Sequence, residues 1–503
     1  MFAAVAMTVA VNGLTAHHAW GDDFAGYLLQ AQSIAHGTMR SEVQVNADLL
    51  AASDGQIGPN AYPWGFPMLI WMVGKLGMTD LVSLKLIGVF SLGATTVFTY
   101  LIARIFLGRS LSLIATSLVV LQPDVVGMTD HLMSDVPFLA VSTATLFFML
   151  RVIRAIEIGR TSYGETTAIA GLTVVSFAVR SNGALLAPAF VLASGYVCLV
   201  KPELLRTVAA TWGVYCAIVL LLLAFYFTML PDGSLSHAKY LNWHASSVLS
   251  RARLTTISTV EFVPYLLIPR QIMHSVVTGM ALVASAILFA IGAWANRRTS
   301  LILVVYTLLN IVLVLIFPFD QGSRYVYPLL LPAAVLGLSG LHTLSQKLPT
   351  TLRTLLPSFT SAAALSFVCT VCLITALAAL ALHSVNAPRS YESRGPFAER
   401  TGALVAFLRA NVPREARISF FKPRAMRLLT GRPAIKVSER THVDRADYFV
   451  LNKALEDEQF DAVRTLPISF FEIDTVSRFA KVYDNAQFAV YQRLSGQSRQ
   501  PNQ

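Results

Sequence analysis

Long apolar runs are the feature that most limits what this chain can fold into. A helix needs roughly 20 mostly apolar residues to cross a bilayer, and the sequence contains many such runs, for example 214–230. Because such a run has no polar face for water, a large soluble helical core is a poor alternative. Only 13% of the 503 residues are charged, against about 25% in soluble proteins. The sequence therefore predicts an all-α polytopic membrane protein.

The spacing of the apolar runs predicts about eleven transmembrane helices. We expect them near 2–19, 80–103, 110–126, 136–153, 166–180, 183–200, 207–230, 275–295, 300–317, 325–345 and 358–384. The segment 61–78 is apolar but broken by prolines, so we interpret it as re-entrant or interfacial rather than spanning.

Lysine and arginine lie in alternate short loops between these runs, which is the pattern of cytoplasmic connections. This places the N-terminus in the cytoplasm, and an odd number of spans places the C-terminus outside. The net charge of +11 follows from these loops, so we expect no nucleic acid partner.

The segment 385–503 is more polar than the rest of the chain. Residues 404–408 are typical of a helix, and 418–421, 448–451 and 488–491 are typical of strands. We therefore predict two domains, a transmembrane catalytic domain over 1–384 and a small extracytoplasmic α/β domain over 385–503. The pattern of the second domain indicates no chemistry.

Most carboxylates fall on the predicted outer side. Longer outer loops explain part of this bias, but not the acids at the ends of spans, such as Asp22, Asp23 and Asp135. Adjacent carboxylates repel, so at least one of Asp22 and Asp23 should have a raised pKa or a cationic partner. Asp22 could act as a general base on an acceptor hydroxyl, or it could cap the helix that follows.

Three further groups of residues could contribute to a site. The aromatic residues Tyr62, Trp64 and Phe66 suit either a lipid groove or a headgroup anchor. Asp130, His131 and Asp135 could hold a divalent cation, but such groupings are common by chance, so we expect no metal and no firmly implied cofactor. Arg180, Arg324 and Lys239 could bind a phosphate on the outer rim.

Taken together, these motifs resemble the GT-C superfamily of polyprenyl-phosphate-sugar-dependent glycosyltransferases. The closer likeness is to bacterial members grouped with the protein mannosyltransferases and the aminoarabinose transferase. It is carried by Asp22-Asp23, the segment from Tyr62 to Leu69, Asp135 to Phe138, Arg180 to Pro188 and Arg324 to Pro332.

The resemblance implies a glycosyltransferase of the bacterial inner (plasma) membrane that inverts the anomeric centre. A sugar on polyprenyl phosphate would be the donor, and a lipid, glycan or protein hydroxyl would be the acceptor. Asp22 would be the general base, with Asp23 as its neighbour and Asp135 and Asp130 as a second acidic site. Arg324, Arg180 and Lys239 would bind the donor phosphate.

The family often has Asp-Glu where this chain has Asp22-Asp23, so the roles of the two carboxylates stay open. A membrane transporter and a lipid-linked oligosaccharide ligase are the alternative functions. A transporter would place ionisable groups in mid-membrane on broken helices and often shows repeats, whereas here the acids lie in outer loops. A scaffold that displays the C-terminal domain would have no need of these acids.

Overall fold

The structure is a computed structural model that describes residues 2–54, 58–234, 275–316, 322–347, 392–437, 440–453 and 478–494. The chain divides into two compact units. The first contains Met1–Leu14, Val82–Leu230 and His237–Ser384, and the second contains Thr15–Leu81, Pro231–Ser236 and Val385–Gln503.

The principal α-helices of the first unit and of the second are numbered together in chain order. They are α1 (Phe2–Asn12), α2 (Asp22–His36), α3 (Met39–Ala52), α4 (Gly65–Lys75), α5 (Leu81–Phe106), α6 (Arg109–Val120), α7 (Pro123–Gly127), α8 (Asp135–Glu157), α9 (Tyr163–Val179), α10 (Leu186–Val200), α11 (Leu205–Met229), α12 (Ser275–Ala295), α13 (Leu301–Ile316), α14 (Tyr327–Lys347), α15 (Glu399–Asn411) and α16 (Pro423–Thr430).

The first unit is a helical bundle whose membrane character follows from its apolar helices. Within the described residues, five helices are long and apolar enough to cross a bilayer, or six if α6 and the following helical turns, bent by 55°, form one broken span. The five are Leu81–Phe106, Asp135–Glu157, Ser181–Val200, Pro202–Met229 and Arg324–Lys347. The chain is therefore an integral membrane protein.

These five helices lie where spans were predicted, but the number eleven stays a prediction. Helices α1, α9 and α13 are apolar and shorter, and the part of α12 from Leu282 to Ala295 is apolar as well. Helix α1 ends at Asn12 rather than near residue 19, because Gly13 follows and closes a turn back to Ala10. The predicted span over 358–384 lies outside the described residues.

Helices α12 and α14 cross at two glycines. A Cβ on Gly292 would meet the backbone oxygen of Leu336, and a Cβ on Gly340 would meet that of Leu288. Asn296 Nδ2 also donates a 2.8 Å hydrogen bond to Ser339 Oγ across the same pair. Small residues and interhelical hydrogen bonds are the usual means by which helices associate in lipid.

Among its described residues, the second unit contains a five-stranded mixed sheet. Its strands are β1 (Ile418–Ser419), β2 (Ala434–Ile435), β3 (Tyr448–Asn452), β4 (Phe479–Asp484) and β5 (Phe488–Arg493), in the order β2-β1-β3-β5-β4. Strand β1 is parallel to β2 and β3, and β5 is antiparallel to β3 and β4. Helix α16 connects β1 to β2. The expected α/β fold of the C-terminal segment is confirmed, whereas its extracytoplasmic location stays a prediction.

Helices α2, α3 and α4 belong to the same unit as this sheet. Helix α2 packs against α3, α4 and α16, and α3 packs against β2. Residues 15–81 therefore group with the C-terminal segment in this structure, although the sequence assigned them to the transmembrane domain. Helix α4 has 11 residues, too few to cross a bilayer, as expected for 61–78. The two-domain division at 384 stays a prediction.

Candidate active site

The two adjacent carboxylates lie in the first turn of α2. Gly21 is the N-cap residue, with extended backbone and no side-chain hydrogen bond, so Asp22 is the first helical residue. The structure thus gives Asp22 no capping role for its own helix. Carboxylates in the first turn are still favoured by the helix dipole, which helps to keep two acids side by side.

Asp22 instead contacts the start of a distant helix. Its Oδ1 accepts a 2.9 Å hydrogen bond from the backbone N–H of Arg424, 402 residues further along the chain. Arg424 follows Pro423, which has no N–H, at the N-terminus of α16. The first free amide of that helix would otherwise lack an acceptor. A test of catalysis by Asp22 must therefore distinguish the loss of this hydrogen bond from the loss of a base.

Tyr62 lies between Asp23 and Arg424. Its hydroxyl donates to Asp23 Oδ1 at 2.7 Å and accepts from Arg424 Nη1 at 2.8 Å. Arg424 Nη2 also donates to the carbonyl oxygen of Pro59, and the guanidinium lies 5.1 Å from the centre of the Tyr62 ring. The backbone of Tyr62 exchanges two hydrogen bonds with the buried side chain of Gln30, at 2.9 and 3.0 Å.

Two glycines make room for this arrangement. A Cβ at Gly26 would lie 2.6 Å from Cε2 of Tyr62, and a Cβ at Gly58 would lie 3.0 Å from Nη1 of Arg424. Gly58 also has a φ of +107°, a conformation that favours glycine. Tyr62 and Arg424 are 7% and 5% exposed, so the carboxylates are held by tightly packed side chains.

Burial raises the pKa of Asp22 above its usual value, although Lys422 and Arg424 oppose the shift. Burial also raises the pKa of Tyr62 well above its usual value, and the neighbouring charge of Asp23 adds to the effect. Tyr62 therefore keeps its proton and acts as a hydrogen-bond donor to Asp23. A carboxylate with a raised pKa accepts a proton more readily, which makes Asp22 suited to be a base.

The aromatic residues predicted as a lipid groove are buried in this unit. Trp64 Nε1 donates a 3.1 Å hydrogen bond to Ser234 Oγ, and the Phe66 ring packs edge-on against Tyr27 at 4.9 Å. Tyr62 contacts the carboxylates. The structure thus shows packing roles for all three, and their contact with a lipid stays a prediction.

The second acidic site lies in the first unit, where each carboxylate has a cationic partner. Asp135 pairs with Arg180, and the Arg180 guanidinium lies 5.0 Å from the ring centre of Tyr325. Asp130 pairs with Lys85 at 2.7 Å, and the Lys85 side chain is fully buried. The other oxygen of Asp135, Oδ2, is buried without a hydrogen-bond partner among the described residues.

The predicted phosphate ligands are placed in part. Arg180 is held by Asp135, and Arg324 lies in the 3₁₀ turn Gly322–Val326 that precedes α14. Lys239 lies outside the described residues. Over the described part of the chain, no three histidine, cysteine or acidic side chains come together as metal ligands.

Sequence reasoning missed three residues of these sites. Arg424 was missed because the C-terminal segment contains many arginines, and no sequence pattern distinguishes Arg424 from the others. Gln30 was missed because a single glutamine in a helical segment has no distinctive pattern. Lys85 gave a usable signal, since a cation inside an apolar run is a functional candidate.

No family model matches the sequence, and no curated protein matches it. Solved structures do resemble it. ArnT from Cupriavidus metallidurans bound to undecaprenyl phosphate has a TM-score of 0.57 at 13% identity, over 98% of this chain and 97% of that one. Its apo form gives 0.57 at 14% identity, over 97% and 96%.

The archaeal oligosaccharyltransferase AglB from Archaeoglobus fulgidus, in complex with an inhibitory peptide and a dolichol-phosphate, is also similar. It gives a TM-score of 0.52 at 12% identity, over 90% of this chain and 69% of that one. ArnT and AglB are both GT-C superfamily members. At these identities the likeness establishes the fold, so the GT-C fold that the sequence motifs predicted is confirmed.

Proposed function

We propose that this GT-C-fold protein is a membrane glycosyltransferase that moves a sugar from a polyprenyl-phosphate donor to an acceptor hydroxyl on the outer face of a bacterial inner membrane. The proposal rests on the position of Asp22, next to Asp23 in the first turn of α2, where its Oδ1 accepts the backbone N–H of Arg424. Burial raises the pKa of this carboxyl. The resemblance to ArnT bound to undecaprenyl phosphate and to AglB bound to a dolichol-phosphate supports the donor class.

In the proposed reaction Asp22 takes the proton of the acceptor hydroxyl while the acceptor oxygen attacks the anomeric carbon. The bond between that carbon and the phosphate oxygen breaks, and polyprenyl phosphate leaves with the electron pair. A single displacement of this kind inverts the anomeric configuration. Because Oδ1 of Asp22 accepts the Arg424 amide, we assign the proton to Oδ2.

The leaving phosphate is an anion, so cations stabilise it without a metal ion. We assign this role to Arg180 and Arg324, and to Lys239 as the sequence predicted. Asp135 would then orient Arg180 through their ion pair. Asp130 would neutralise Lys85, whose charge is otherwise costly inside an apolar helix.

The acceptor and the sugar stay open. A lipid-linked oligosaccharide ligase is the second candidate, favoured by the likeness to an oligosaccharyltransferase. The transporter alternative predicts uptake without a glycosyl product.

The test compares purified wild-type protein with three variants in proteoliposomes. Donors are polyprenyl-phosphate-linked mannose, glucose and aminoarabinose, each labelled in the sugar, and a membrane extract provides the acceptors. The measurements are the release of polyprenyl phosphate, the labelled product and its anomeric configuration by NMR.

Asp22→Asn keeps an oxygen that accepts the Arg424 amide but cannot take a proton, whereas Asp22→Ala loses both functions. Asp48→Asn is the matched control, because Asp48 is an exposed carboxylate in the same unit. We expect transfer by wild type and Asp48→Asn, a folded but inactive Asp22→Asn, and a less stable Asp22→Ala. Transfer by Asp22→Asn at the wild-type rate would contradict the base assignment.

A further inference from the structure

We propose that Arg424 of the C-terminal segment is a positioning residue for this reaction, holding Asp23 through Tyr62 and Asp22 through its own backbone amide. The inference rests on the proposed function and assigns a role to a segment whose sequence indicated no chemistry. One arginine thus joins both carboxylates of the candidate active site.

Arg424 makes three hydrogen bonds that hold neighbouring groups in place. Its amide binds Asp22, Nη1 binds the Tyr62 hydroxyl, and Nη2 binds the Pro59 carbonyl. The Tyr62 hydroxyl bridges Arg424 and Asp23, since it accepts a hydrogen bond from Arg424 and donates one to Asp23. Donors and acceptors linked in this way polarise and strengthen one another.

A neighbouring arginine shows what a purely structural contact looks like. Arg427, one turn further along α16, pairs with Glu42 and donates a 2.8 Å hydrogen bond to Asn46, both on α3. That contact attaches α16 to α3. The guanidinium of Arg424 is instead directed at the Tyr62 hydroxyl and the Pro59 carbonyl.

Arg424 also contributes charge to the base. The charged groups that act on Asp22 are Asp23 on its own helix, Lys422 and Arg424 at the start of α16, and Lys436 after β2. Burial raises the pKa of Asp22, and Lys422 and Arg424 lower it. Loss of the Arg424 charge therefore raises the pKa of Asp22 further, and a base is active only above its pKa.

The test is the pH dependence of kcat for transfer from the donor that wild type uses, with Tm measured for each variant. Arg424→Gln keeps the backbone amide and loses the charge, so the acidic limb of the profile should move up by about one pH unit. Arg424→Lys keeps the charge, so its limb should coincide with that of wild type while kcat falls. Tyr62→Phe should lower kcat without moving the limb.

Arg427→Gln is the matched control, because it removes the docking contact from the same helix and should lower Tm without moving the limb. An Arg424→Gln profile with the wild-type limb would overturn the inference. If Arg424→Gln does not fold, Tyr62→Phe decides, since wild-type kcat in that variant would show that the link to Asp23 has no role. An inactive Asp22→Asn beside an unchanged Arg424→Gln refutes only the inference, whereas an active Asp22→Asn refutes the proposed function.

Discussion

Gly26→Ala tests the close packing that holds Tyr62 beside the carboxylates. The new Cβ would lie 2.6 Å from Cε2 and 3.0 Å from Cδ2 of the Tyr62 ring. Carbon atoms pack best at about 3.5–4.0 Å, so the ring must move by about 1 Å. It cannot do so freely, because its hydroxyl binds Asp23 and Arg424 and its backbone binds Gln30.

Two energies oppose each other in this variant. Alanine in place of a glycine inside a helix gains about 1 kcal/mol, while an extra carbon in a packed core costs about 1–3 kcal/mol. We therefore expect a net loss of stability of up to about 2 kcal/mol. A displacement of about 1 Å near reacting groups can lower a rate about 100-fold. We therefore expect the loss of activity, expressed as a free energy, to exceed the loss in the free energy of unfolding.

The matched control is Gly402→Ala. Gly402 lies inside α15 of the same unit, and a Cβ there would meet nothing within 4 Å. This variant should gain stability and keep wild-type activity. Thermal unfolding of the purified protein gives the first quantity, and release of polyprenyl phosphate gives the second. If Gly26→Ala behaves like Gly402→Ala in both measurements, the inference that Tyr62 packs tightly against Gly26 is contradicted.

The remaining predictions concern stability. The folded pKa of Asp22 is raised, so in wild type this group lowers stability as the pH rises from the usual aspartate range through the folded pKa. Asp22→Asn should therefore have a higher Tm than wild type at neutral pH, and the difference should shrink on acidification; a difference independent of pH would contradict the shift. Gly340→Leu should separate α12 from α14 and lower the Tm. Its control is Gly171→Leu on α9, where a Cβ meets nothing within 4 Å. Equal Tm values for the two variants would contradict the close crossing of α12 and α14.

The sequence predicts features that depend on neighbouring residues, and it does not predict contacts between residues far apart along the chain. Hydropathy predicts helices well because a span is a local property, and five predicted spans meet the requirements for crossing a bilayer. The pair Asp22-Asp23 was also recognisable, since adjacent acids after an apolar run are unusual. The predicted strands correspond to β1, β3 and β5, whereas β2 and β4 were not predicted.

The partners of the carboxylates could not be predicted. Arg424 lies 402 residues from Asp22, and its proximity depends on how β1, α16 and β2 fold beside α2. The same long-range packing groups 15–81 with the C-terminal segment, a grouping that no local pattern indicates. The sequence indicates capping only for the helix that Asp22 begins, whereas the amide that Asp22 binds belongs to α16.

The role of Asp22 as the base is tested by the rate of polyprenyl phosphate release by wild type and by Asp22→Asn, in the same membranes and with both proteins folded. We expect release and sugar transfer by wild type, and a rate near background for Asp22→Asn despite its higher Tm at neutral pH. Equal rates for the two proteins would contradict the assignment of Asp22 as the base.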